Sequence, residues 1–486
     1  MPTVALHTLG CKVNFYDTEG IWQTFQHAGY TQVPFEERAD VYVVNTCTVT
    51  NTGDRKSRQM IRRAVRTNPD ATVVVTGCYA QVAPREVAAI AGVDLVVGND
   101  RKSQIVSLVE AARSEQHPYA DTEETVLPSA PQVGNILRTR TFEEMDVPWF
   151  EERTRANLKI QDGCNNFCTF CIIPYARGLV RSRKPENIVA QATKLAKAGY
   201  REIVLTGIHT GGYGADLDGY RLAHLLRALE DIPELYRVRI SSIEASEVDE
   251  ELVDVLASST KVCNHLHIPL QAGHDAVLKR MNRHYTVAEF AQTLSHLRQA
   301  LPELAVTSDV IVGFPGETDE QFEDTIHFID EQQFSQLHVF PYSPRKGTAA
   351  ARYTDQVAAG VKEERVQRLL ALSEQLTLRY AKKFVGRTLE VIPEEPLAVS
   401  DASKNGGTLA RSSAADEPVW LVGHADNYLK VSFSLPRGTS APDWVGEVCT
   451  VRLTEAGSDL QTGTATGRVT SSDDQSDAAR EEGRYA

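Results

Sequence analysis

Three cysteines occur close together in the segment IQDGCNNFCTFCIIPYARG, with the spacing C-x3-C-x2-C. They are Cys164, Cys168 and Cys171. Thiolates are soft ligands that suit zinc or an iron–sulfur cluster. Zinc normally needs a second C-x2-C pair or histidines at a fixed spacing, and a disulfide with a spare thiol is a further alternative. A 4Fe-4S cluster held by three thiolates leaves one iron open to a reactant, so the spacing favours a cluster of this kind.

Three more cysteines are spread over the first part of the chain, in the contexts LGCKVN, NTCTVTN and TGCYAQ. Cys11, Cys47 and Cys78 each come just after an apolar, strand-like run. Because the carboxyl ends of parallel strands meet at one edge of a sheet, we expect these thiols to converge. The alternative is that they are small buried hydrophobic residues, which is the role we expect for Cys263 and Cys449.

Short apolar runs alternate with amphipathic segments in the elements that must position these cysteines. In the first ~110 residues, TVALHTLG, DVYVVNT, ATVVVTG and DLVVGN read as strands separated by helices, which predicts a parallel sheet covered on both faces. Six further candidate strands follow between 155 and 380, a pattern that fits a barrel, a partial barrel or a doubly wound sheet. After that, short β segments predict a small all-β barrel.

The predicted organisation has five parts. They are an N-terminal α/β domain over 1–113, a Pro- and acid-rich linker over 114–154, a central α/β domain over 155–380, a β domain over 381–468 and a disordered acidic tail over 469–486. Neither a secretory signal nor an apolar run long enough to span a membrane is recognisable, so we expect a cytoplasmic protein without a membrane partner. The formal net charge of −14 weighs against nonspecific nucleic-acid binding, although local basic patches can still dominate close contacts.

The C-x3-C-x2-C motif with an aromatic residue before its last cysteine, Phe170, resembles the hallmark of the radical S-adenosylmethionine (radical SAM) superfamily. With three spread cysteines upstream and a β domain downstream, the chain resembles the methylthiotransferases of that superfamily. HIPLQAGHDAVLKRMNRHYT and SDVIVGFPGETDEQF are similar to barrel motifs of the same family. The resemblance implies an α/β protein with a flavodoxin-like N-terminal domain, a partial (β/α)6 radical SAM barrel and a C-terminal TRAM barrel.

The resemblance also implies cofactors: two 4Fe-4S clusters, one on each cysteine set, and S-adenosylmethionine. In the family, S-adenosylmethionine is cleaved at the Cys164/Cys168/Cys171 cluster to give a 5′-deoxyadenosyl radical. Holding the sulfonium beside the cluster makes that electron transfer intramolecular and correctly oriented. A flavodoxin- or ferredoxin-type electron donor is expected from the chemistry, whereas the sulfur donor is unknown.

The branch of the family is indicated by GCKVN, NTCTVTN and IIPYARGLVRSR, which resemble the MtaB-like branch. Its members convert N6-threonylcarbamoyladenosine, next to the tRNA anticodon, to the 2-methylthio form, so the anticodon stem-loop is the expected partner. Three alternatives stay open. They are a MiaB-like enzyme acting on isopentenyladenosine in tRNA, an enzyme acting on ribosomal protein S12, and an RNA-binding iron–sulfur sensor without catalysis.

Further site residues follow from the resemblance and from local charge. Candidate contacts to S-adenosylmethionine are Phe170, Gly207, Ser241 and Gly313. Candidate RNA contacts are Arg58, Arg62 and Arg63 on a predicted basic helix after Cys47, Arg181 and Arg183 beside the other cysteine set, and Lys430 in the β domain. The alternatives are ordinary turn glycines, a satisfied loop serine and a solvated helix face.

Overall fold

The computed structural model describes residues 1–116, 131–147, 154–397 and 418–469. Apart from Val469, the acidic tail predicted over 469–486 lies outside the described residues. The same holds for 117–130 and 148–153 of the predicted linker. None of the helices in the described ranges is both long enough and apolar enough to cross a membrane.

The N-terminal unit is a parallel sheet with helices on both faces. Its elements are β1 (Thr3–Thr8), α1 (Lys12–His27), β2 (Thr31–Gln32), β3 (Val41–Thr46), α2 (Asn51–Thr67), β4 (Thr72–Gly77), α3 (Cys78–Val82), α4 (Pro84–Ala88), β5 (Leu95–Val96) and α5 (Ile105–Gln116). The strand order β2-β1-β3-β4-β5 is that of flavodoxin, with every pairing parallel. Every residue of β3 and β4 is buried, as expected for central strands covered on both faces. The flavodoxin-like prediction is confirmed.

The central unit is an open arc of parallel strands with helices on its outer side. Its elements are β6 (Ala156–Lys159), β7 (Gln161–Asp162), α6 (Ile173–Arg177), β8 (Arg181–Ser182), α7 (Pro185–Lys197), β9 (Glu202–Thr206), α8 (Leu222–Glu230), β10 (Arg237–Ile240), α9 (Glu250–Ser258), β11 (His265–His267), α10 (Asp275–Arg280), α11 (Val287–Ala300), β12 (Ala305–Val312), α12 (Asp319–Gln332), β13 (Gln336–Pro341) and α13 (Ala359–Lys382). Strands β6-β9-β10 and β11-β12-β13 pair in parallel, and a bridge between Ser242 and His267 joins the two sets. The strand order follows the chain without a reversal, whereas a doubly wound sheet reverses its order at a switch point. Of the three predicted alternatives, the partial barrel is therefore the one that the structure adopts.

The two faces of the arc differ in polarity. On the helix side, alternating residues such as Ile203, Leu205 and Val238 join the largest hydrophobic core of the protein. The intervening residues face the inside of the arc, where charged and polar side chains such as Glu202 and Arg239 are buried. Because successive side chains on a strand point to opposite faces, this alternation gives the arc an apolar outside and a polar interior.

The C-terminal unit is a closed five-stranded barrel, as predicted. Its strands are β14 (Thr388–Pro396), β15 (Trp420–Ala425), β16 (Lys430–Ser434), β17 (Cys449–Glu455) and β18 (Gln461–Arg468), in the order β14-β15-β16-β18-β17. Cys449 lies in its core and Cys263 is also buried, in agreement with the role expected for them. Arg237 and Arg239 on β10 donate hydrogen bonds to the carbonyls of His424 and Ala425, at 3.0 and 2.9 Å, and so join this barrel to the arc.

Candidate iron–sulfur and cofactor site

The three N-terminal cysteines lie at the carboxyl ends of neighbouring strands. Cys11 is the N-cap residue of α1, Cys47 directly follows β3, and Cys78 is the first residue of α3, directly after β4. Burial, together with the nearby thiols of Cys78 and Cys11, raises the pKa of Cys47 to about 11. The sheet therefore brings the predicted set of three thiols together at one edge.

Glycines allow the backbone to turn this tightly beside two of the cysteines. Gly10 and Gly77 have φ angles of +110° and +92°, in the region that side-chain-bearing residues rarely adopt. A Cβ atom at Gly77 would lie 2.4 Å from the carbonyl oxygen of Thr46, and one at Gly10 would lie 2.9 Å from Cβ of Cys47. Both turns depend on the missing side chain.

The second cysteine set lies on the loop that follows β6 and β7, at the carboxyl end of the arc. The Cys171 amide donates to the Cys168 carbonyl at 2.9 Å, and the Cys164 amide donates to the Gly178 carbonyl at 3.0 Å. Burial raises the pKa of Cys171 to about 12, with Cys168 and Cys164 acting in the same direction through their charge. The three thiols are therefore neighbours, and their loop is closed on itself by backbone hydrogen bonds.

Two charged side chains contact this second set. The Arg283 guanidinium donates to Cys168 Sγ at 3.3 Å and forms a short ion pair with Glu244. His209 lies 2.7 Å from Glu247. Burial opposes the charged form of His209, but hydrogen bonds with Cys164 and Glu247 raise its pKa to about 10. Positive charge thus lies beside thiols that ionise when they bind metal.

Arg177 connects the two cysteine sets. It ends α6, six residues after Cys171, and its side chain is fully buried. Its Nε donates to Cys78 Sγ at 3.4 Å, while Nη1 donates to Asp17 at 2.7 Å and to Asp162 at 3.2 Å. A short hydrogen bond also joins Nη2 to Asn14. An arginine from the loop of one cysteine set therefore contacts a thiol of the other.

The surroundings of Arg177 contain more buried positive than negative charge. Four buried cations, Lys102, Lys159, Arg177 and Arg181, surround two buried carboxylates, Asp17 and Asp162. Burial disfavours a net charge unless a counter-charge is present. A thiolate-bound iron–sulfur cluster is anionic, so the excess positive charge beside Cys78 and Cys11 fits a set of thiols that bind such a cluster.

The burial of Arg181 and Arg183 corrects their predicted role as RNA contacts. Their exposed fractions are 4% and 5%, and Arg183 donates to Glu144 at 2.7 Å and also hydrogen-bonds Gln191. These side chains support the loop of the second cysteine set from inside and lie away from the surface. Sequence reasoning treated this run of positive charge as a surface patch because the carboxylates that pair with it, Asp162 with Arg181 and Glu144 with Arg183, lie on earlier segments of the chain.

Three of the residues predicted to bind S-adenosylmethionine are linked to the second cysteine set by neighbouring side chains. The Phe170 ring packs against Phe314, the residue after Gly313, with their centroids 6.4 Å apart. Gly207 is close to Gln161, whose side-chain amide donates to the Gly163 carbonyl next to Cys164. These contacts link Phe170, Gly207 and the Gly313 turn to the loop of the second cysteine set.

Two of these residues already have internal partners. The Gly313 amide donates to Glu317 at 2.5 Å, and Glu317 pairs with the buried Arg365 at 2.6 Å. The Ser241 hydroxyl lies 3.4 Å from that of Thr206 on the inside of the arc. The turn at Gly313 is therefore held by the ion pair between Glu317 and Arg365. Because the Gly313 amide already donates to Glu317, the turn could shape a ligand site but would not donate that hydrogen bond to the ligand.

The predicted basic helix is α2, which begins shortly after Cys47. Ser57, Ile61 and Ala64 are buried, so the helix presents its basic residues outward. Arg62 is exposed, whereas Arg58 donates to the Tyr79 hydroxyl at 3.0 Å and Arg63 lies 3.2 Å from Glu36. Lys430, also exposed, begins β16 in the C-terminal barrel. These four cations remain candidates for RNA contact.

A parallel α/β arc that carries three thiols on the loop after its first strand defines a radical SAM enzyme. Residues 158–329 match the radical SAM superfamily, and residues 3–98 match a family described as the uncharacterized protein family UPF0004. The chain belongs to the radical SAM methylthiotransferases, a family whose chemistry requires S-adenosylmethionine and a 4Fe-4S cluster.

Similar proteins support this assignment. The threonylcarbamoyladenosine tRNA methylthiotransferase MtaB of Bacillus subtilis (strain 168) is 54% identical over 94% of this chain and 95% of its own. The tRNA-2-methylthio-N(6)-dimethylallyladenosine synthase of Pelotomaculum thermopropionicum is 37% identical over 79% of this chain and 86% of its own. Among solved structures, the radical SAM methyltransferase TsrM of Kitasatospora setae matches in fold, with a TM-score of 0.52 and 18% identity over 70% of this chain and 75% of its own.

Proposed function

We propose that this chain converts N6-threonylcarbamoyladenosine in the anticodon stem-loop of tRNA to its 2-methylthio derivative. The contact between Arg177 and Cys78 carries the proposal, because it joins a radical SAM loop to a second set of three thiols. A radical SAM enzyme that only cleaves S-adenosylmethionine needs one such set. The substrate follows the relative from Bacillus subtilis, which matches nearly the whole chain.

In this proposal each cysteine set holds one 4Fe-4S cluster. Cys164, Cys168 and Cys171 hold the cluster that binds S-adenosylmethionine, and Cys11, Cys47 and Cys78 hold the second. When bound, the first cluster would supply the electron that cleaves S-adenosylmethionine to the radical that activates carbon 2 of the adenine, and the second would carry the sulfur that is inserted there. Three thiolates leave one coordination position open at each cluster, which both steps require.

The protein's own residues position these groups. Arg283 and His209 place positive charge beside the first set, and Arg177 places it beside the second. Phe170, packed against Phe314, gives a planar ring at the edge of the cluster loop. On the outside, Arg62 and the rest of the exposed face of α2 attract the phosphates of the stem-loop, with Lys430 on the C-terminal barrel.

Turnover in this proposal requires a low-potential electron source and a sulfur source. A flavodoxin- or ferredoxin-type protein supplies the electrons, since the cluster must be reduced before each cleavage of S-adenosylmethionine.

Nucleoside mass spectrometry of tRNA from cells with and without the gene tests the proposal. We expect 2-methylthio-N6-threonylcarbamoyladenosine to disappear and its precursor to accumulate. Loss of a methylthiolated isopentenyladenosine instead would assign the enzyme to the MiaB-like branch. If the tRNA is the same in both strains, and the aspartate of ribosomal protein S12 is methylthiolated only in cells that have the gene, the enzyme acts on that protein instead. A reconstituted chain that binds RNA but never forms 5′-deoxyadenosine would be the non-catalytic sensor.

A further inference from the structure

The inner face of the arc carries two histidines and an aspartate on three neighbouring strands, which we call the histidine cluster. His267 ends β11, Asp309 lies in β12 and His338 lies in β13. Thr307 pairs with His267, and Asp309, two residues further along the same strand, pairs with His338. Paired residues, and residues two apart on a strand, point to the same face, so strand register sends these side chains to one side of the sheet. One donor atom each from His267, Asp309 and His338 lies within 4.8 Å of the others.

The spacing of His267 and Asp309 suits two ligands of one zinc ion. His267 Nε2 lies 3.3 Å from an oxygen of the Asp309 carboxylate, which is longer than the distance of about 2.9 Å that is typical of an N–H···O hydrogen bond. Two ligands bonded to a tetrahedral zinc ion at about 2.0–2.1 Å stand about 3.3 Å apart. An octahedral ion, such as iron(II) bound by two histidines and a carboxylate, would hold adjacent ligands about 3.0 Å apart. The observed distance therefore favours the tetrahedral ion.

Thr307 fixes the orientation of the His267 ring. Its hydroxyl oxygen lies 2.9 Å from His267 Nδ1 and 2.9 Å from His265 Nε2, so it accepts a hydrogen bond from one ring and donates one to the other. When it accepts from His267 Nδ1, the lone pair of His267 Nε2 faces the Asp309 carboxylate. Two electron-rich atoms at this distance repel each other unless a cation lies between them. Metal-bound histidines usually donate a hydrogen bond from their second ring nitrogen in the same way.

The histidine cluster has space beside it for an ion and its water. All three side chains are partly exposed. His338 and Thr307 also line a cavity of about 140 Å³ between the arc and the C-terminal barrel, which is large enough for several water molecules. Lys430 and Asp459 bring opposite charges to the barrel side of this cavity, so neither sign of charge prevails there. A hydrated ion therefore has room to reach the cluster.

We propose that His267, Asp309 and His338 bind a zinc ion that is separate from the six cysteines. Among the residues that the structure describes, these three make up the donor set. A tetrahedral ion with three protein ligands keeps its fourth position open for water or for an oxygen atom of a substrate, as reactive zinc sites do. The inference does not depend on which nucleoside the enzyme modifies. The alternative is that His267 and Asp309 form an ion pair without a metal.

The test uses the reconstituted holoenzyme, dialysed without oxygen against buffered zinc sulfate, so that the cysteines already hold iron. Inductively coupled plasma mass spectrometry counts zinc and iron, and we expect about one zinc ion per chain besides the iron. Zinc K-edge X-ray absorption then identifies the ligands. Nitrogen and oxygen neighbours at about 2.0–2.1 Å are expected, without the sulfur neighbour at about 2.3 Å that a cysteine site would give. His267→Gln and Asp309→Asn should each abolish zinc binding.

His274→Gln is the matched control. His274 also lies beside an aspartate, with 3.7 Å between its Nε2 and Asp324, but this pair belongs to α10 and α12 outside the arc. The control should keep its zinc. Thr307→Val should weaken zinc binding by about tenfold or more, because it removes the hydrogen bond that orients His267. Iron content equal to that of the unmodified enzyme shows that each variant has folded and retains its clusters.

Three results would overturn the zinc site. A holoenzyme that binds no zinc would leave His267 and Asp309 as an ordinary ion pair. Sulfur neighbours in the absorption spectrum would place the zinc at cysteines. Zinc that remains bound in both His267→Gln and Asp309→Asn, or that is lost equally in His274→Gln, would show that it does not depend on the histidine cluster.

Discussion

Arg177 and Cys78 lie 99 positions apart in the sequence, yet the guanidinium Nε is 3.4 Å from the thiol sulfur. The arginine belongs to the radical SAM loop and the cysteine to the flavodoxin-like sheet. Asp17 and Asp162 hold the same guanidinium from both units, so its position is set by each of them. This contact makes the two cysteine sets parts of one site.

Replacing Arg177 should remove the second cluster and spare the first. In Arg177→Met the buried cation next to Cys78 is lost, so the thiolates of the N-terminal set lose their counter-charge. Iron in the reconstituted protein should fall from about eight to about four atoms per chain. Arg237→Met is the control, since Arg237 is also buried but contacts Glu202 and the C-terminal barrel. Full iron content in Arg177→Met would contradict the electrostatic role.

The two cysteine sets should divide the reaction. In the proposed assignment, Cys168→Ala removes a ligand of the cluster that binds S-adenosylmethionine, so formation of 5′-deoxyadenosine should stop. Cys47→Ala should retain that cleavage but yield no methylthiolated nucleoside. Both products can be measured in one assay by liquid chromatography with mass spectrometry. Equal loss of 5′-deoxyadenosine in both variants would argue against separate roles, and Cys449→Ala in the barrel core should retain both activities.

The exposed face of α2 should bind RNA phosphates. Replacing Arg62 and Arg63 with glutamine should lower affinity for the stem-loop most at low salt, where the release of counterions contributes most to binding. The slope of log affinity against log salt should become less steep by up to about 2. Because Arg63 already pairs with Glu36, most of the change should come from Arg62. Arg227→Gln on α8 is the control, and an unchanged slope in the double variant would make α2 an ordinary solvated helix.

Glu202 should make stability depend on pH. Burial opposes its ionisation, but Arg239 and Arg237 hold its pKa well below the ordinary value of 4.5. A carboxyl group with a lowered pKa stabilises the folded state above its unfolded pKa, and this contribution is lost as the pH falls toward the folded pKa. At pH 7 Glu202→Gln should cost about 3–5 kcal/mol, the usual effect of breaking a buried ion pair.

Urea unfolding at pH 7 and pH 4 measures this contribution, with an apo preparation used throughout so that cluster loss does not interfere. The difference between the unmodified protein and Glu202→Gln should shrink at the lower pH. A difference that is the same at both values would mean that the charge of Glu202 has no part in the joint between β10 and the C-terminal barrel.

Much of the fold could be predicted because apolar strands and cysteines directly after them are local signals. The positions of Cys11, Cys47 and Cys78 after β1, β3 and β4 follow from that pattern together with the rule for parallel sheets. Buried charge could not be predicted in the same way. Arg181 and Arg183 have the composition of a surface patch, and only their distant partners show that they are interior.

The histidine cluster shows a second limit. His267, Asp309 and His338 come from three strands separated by whole helices, and the sequence shows only that each lies near a strand. Their convergence depends on strand register, since Asp309 is paired with His338 and Thr307 with His267. A shift of one residue in either pairing would send the side chains to opposite faces.

The contact of Arg177 with the N-terminal unit also bears on biosynthesis. The first unit leaves the ribosome before the loop that supplies this arginine, and domains generally fold as units in the order of synthesis. Until residue 177 has emerged, Asp17 lacks one of the cations that surround it and Cys78 lacks its neighbouring guanidinium. The nascent N-terminal unit therefore lacks the guanidinium beside Cys78 and Asp17 until the following domain begins to fold against it.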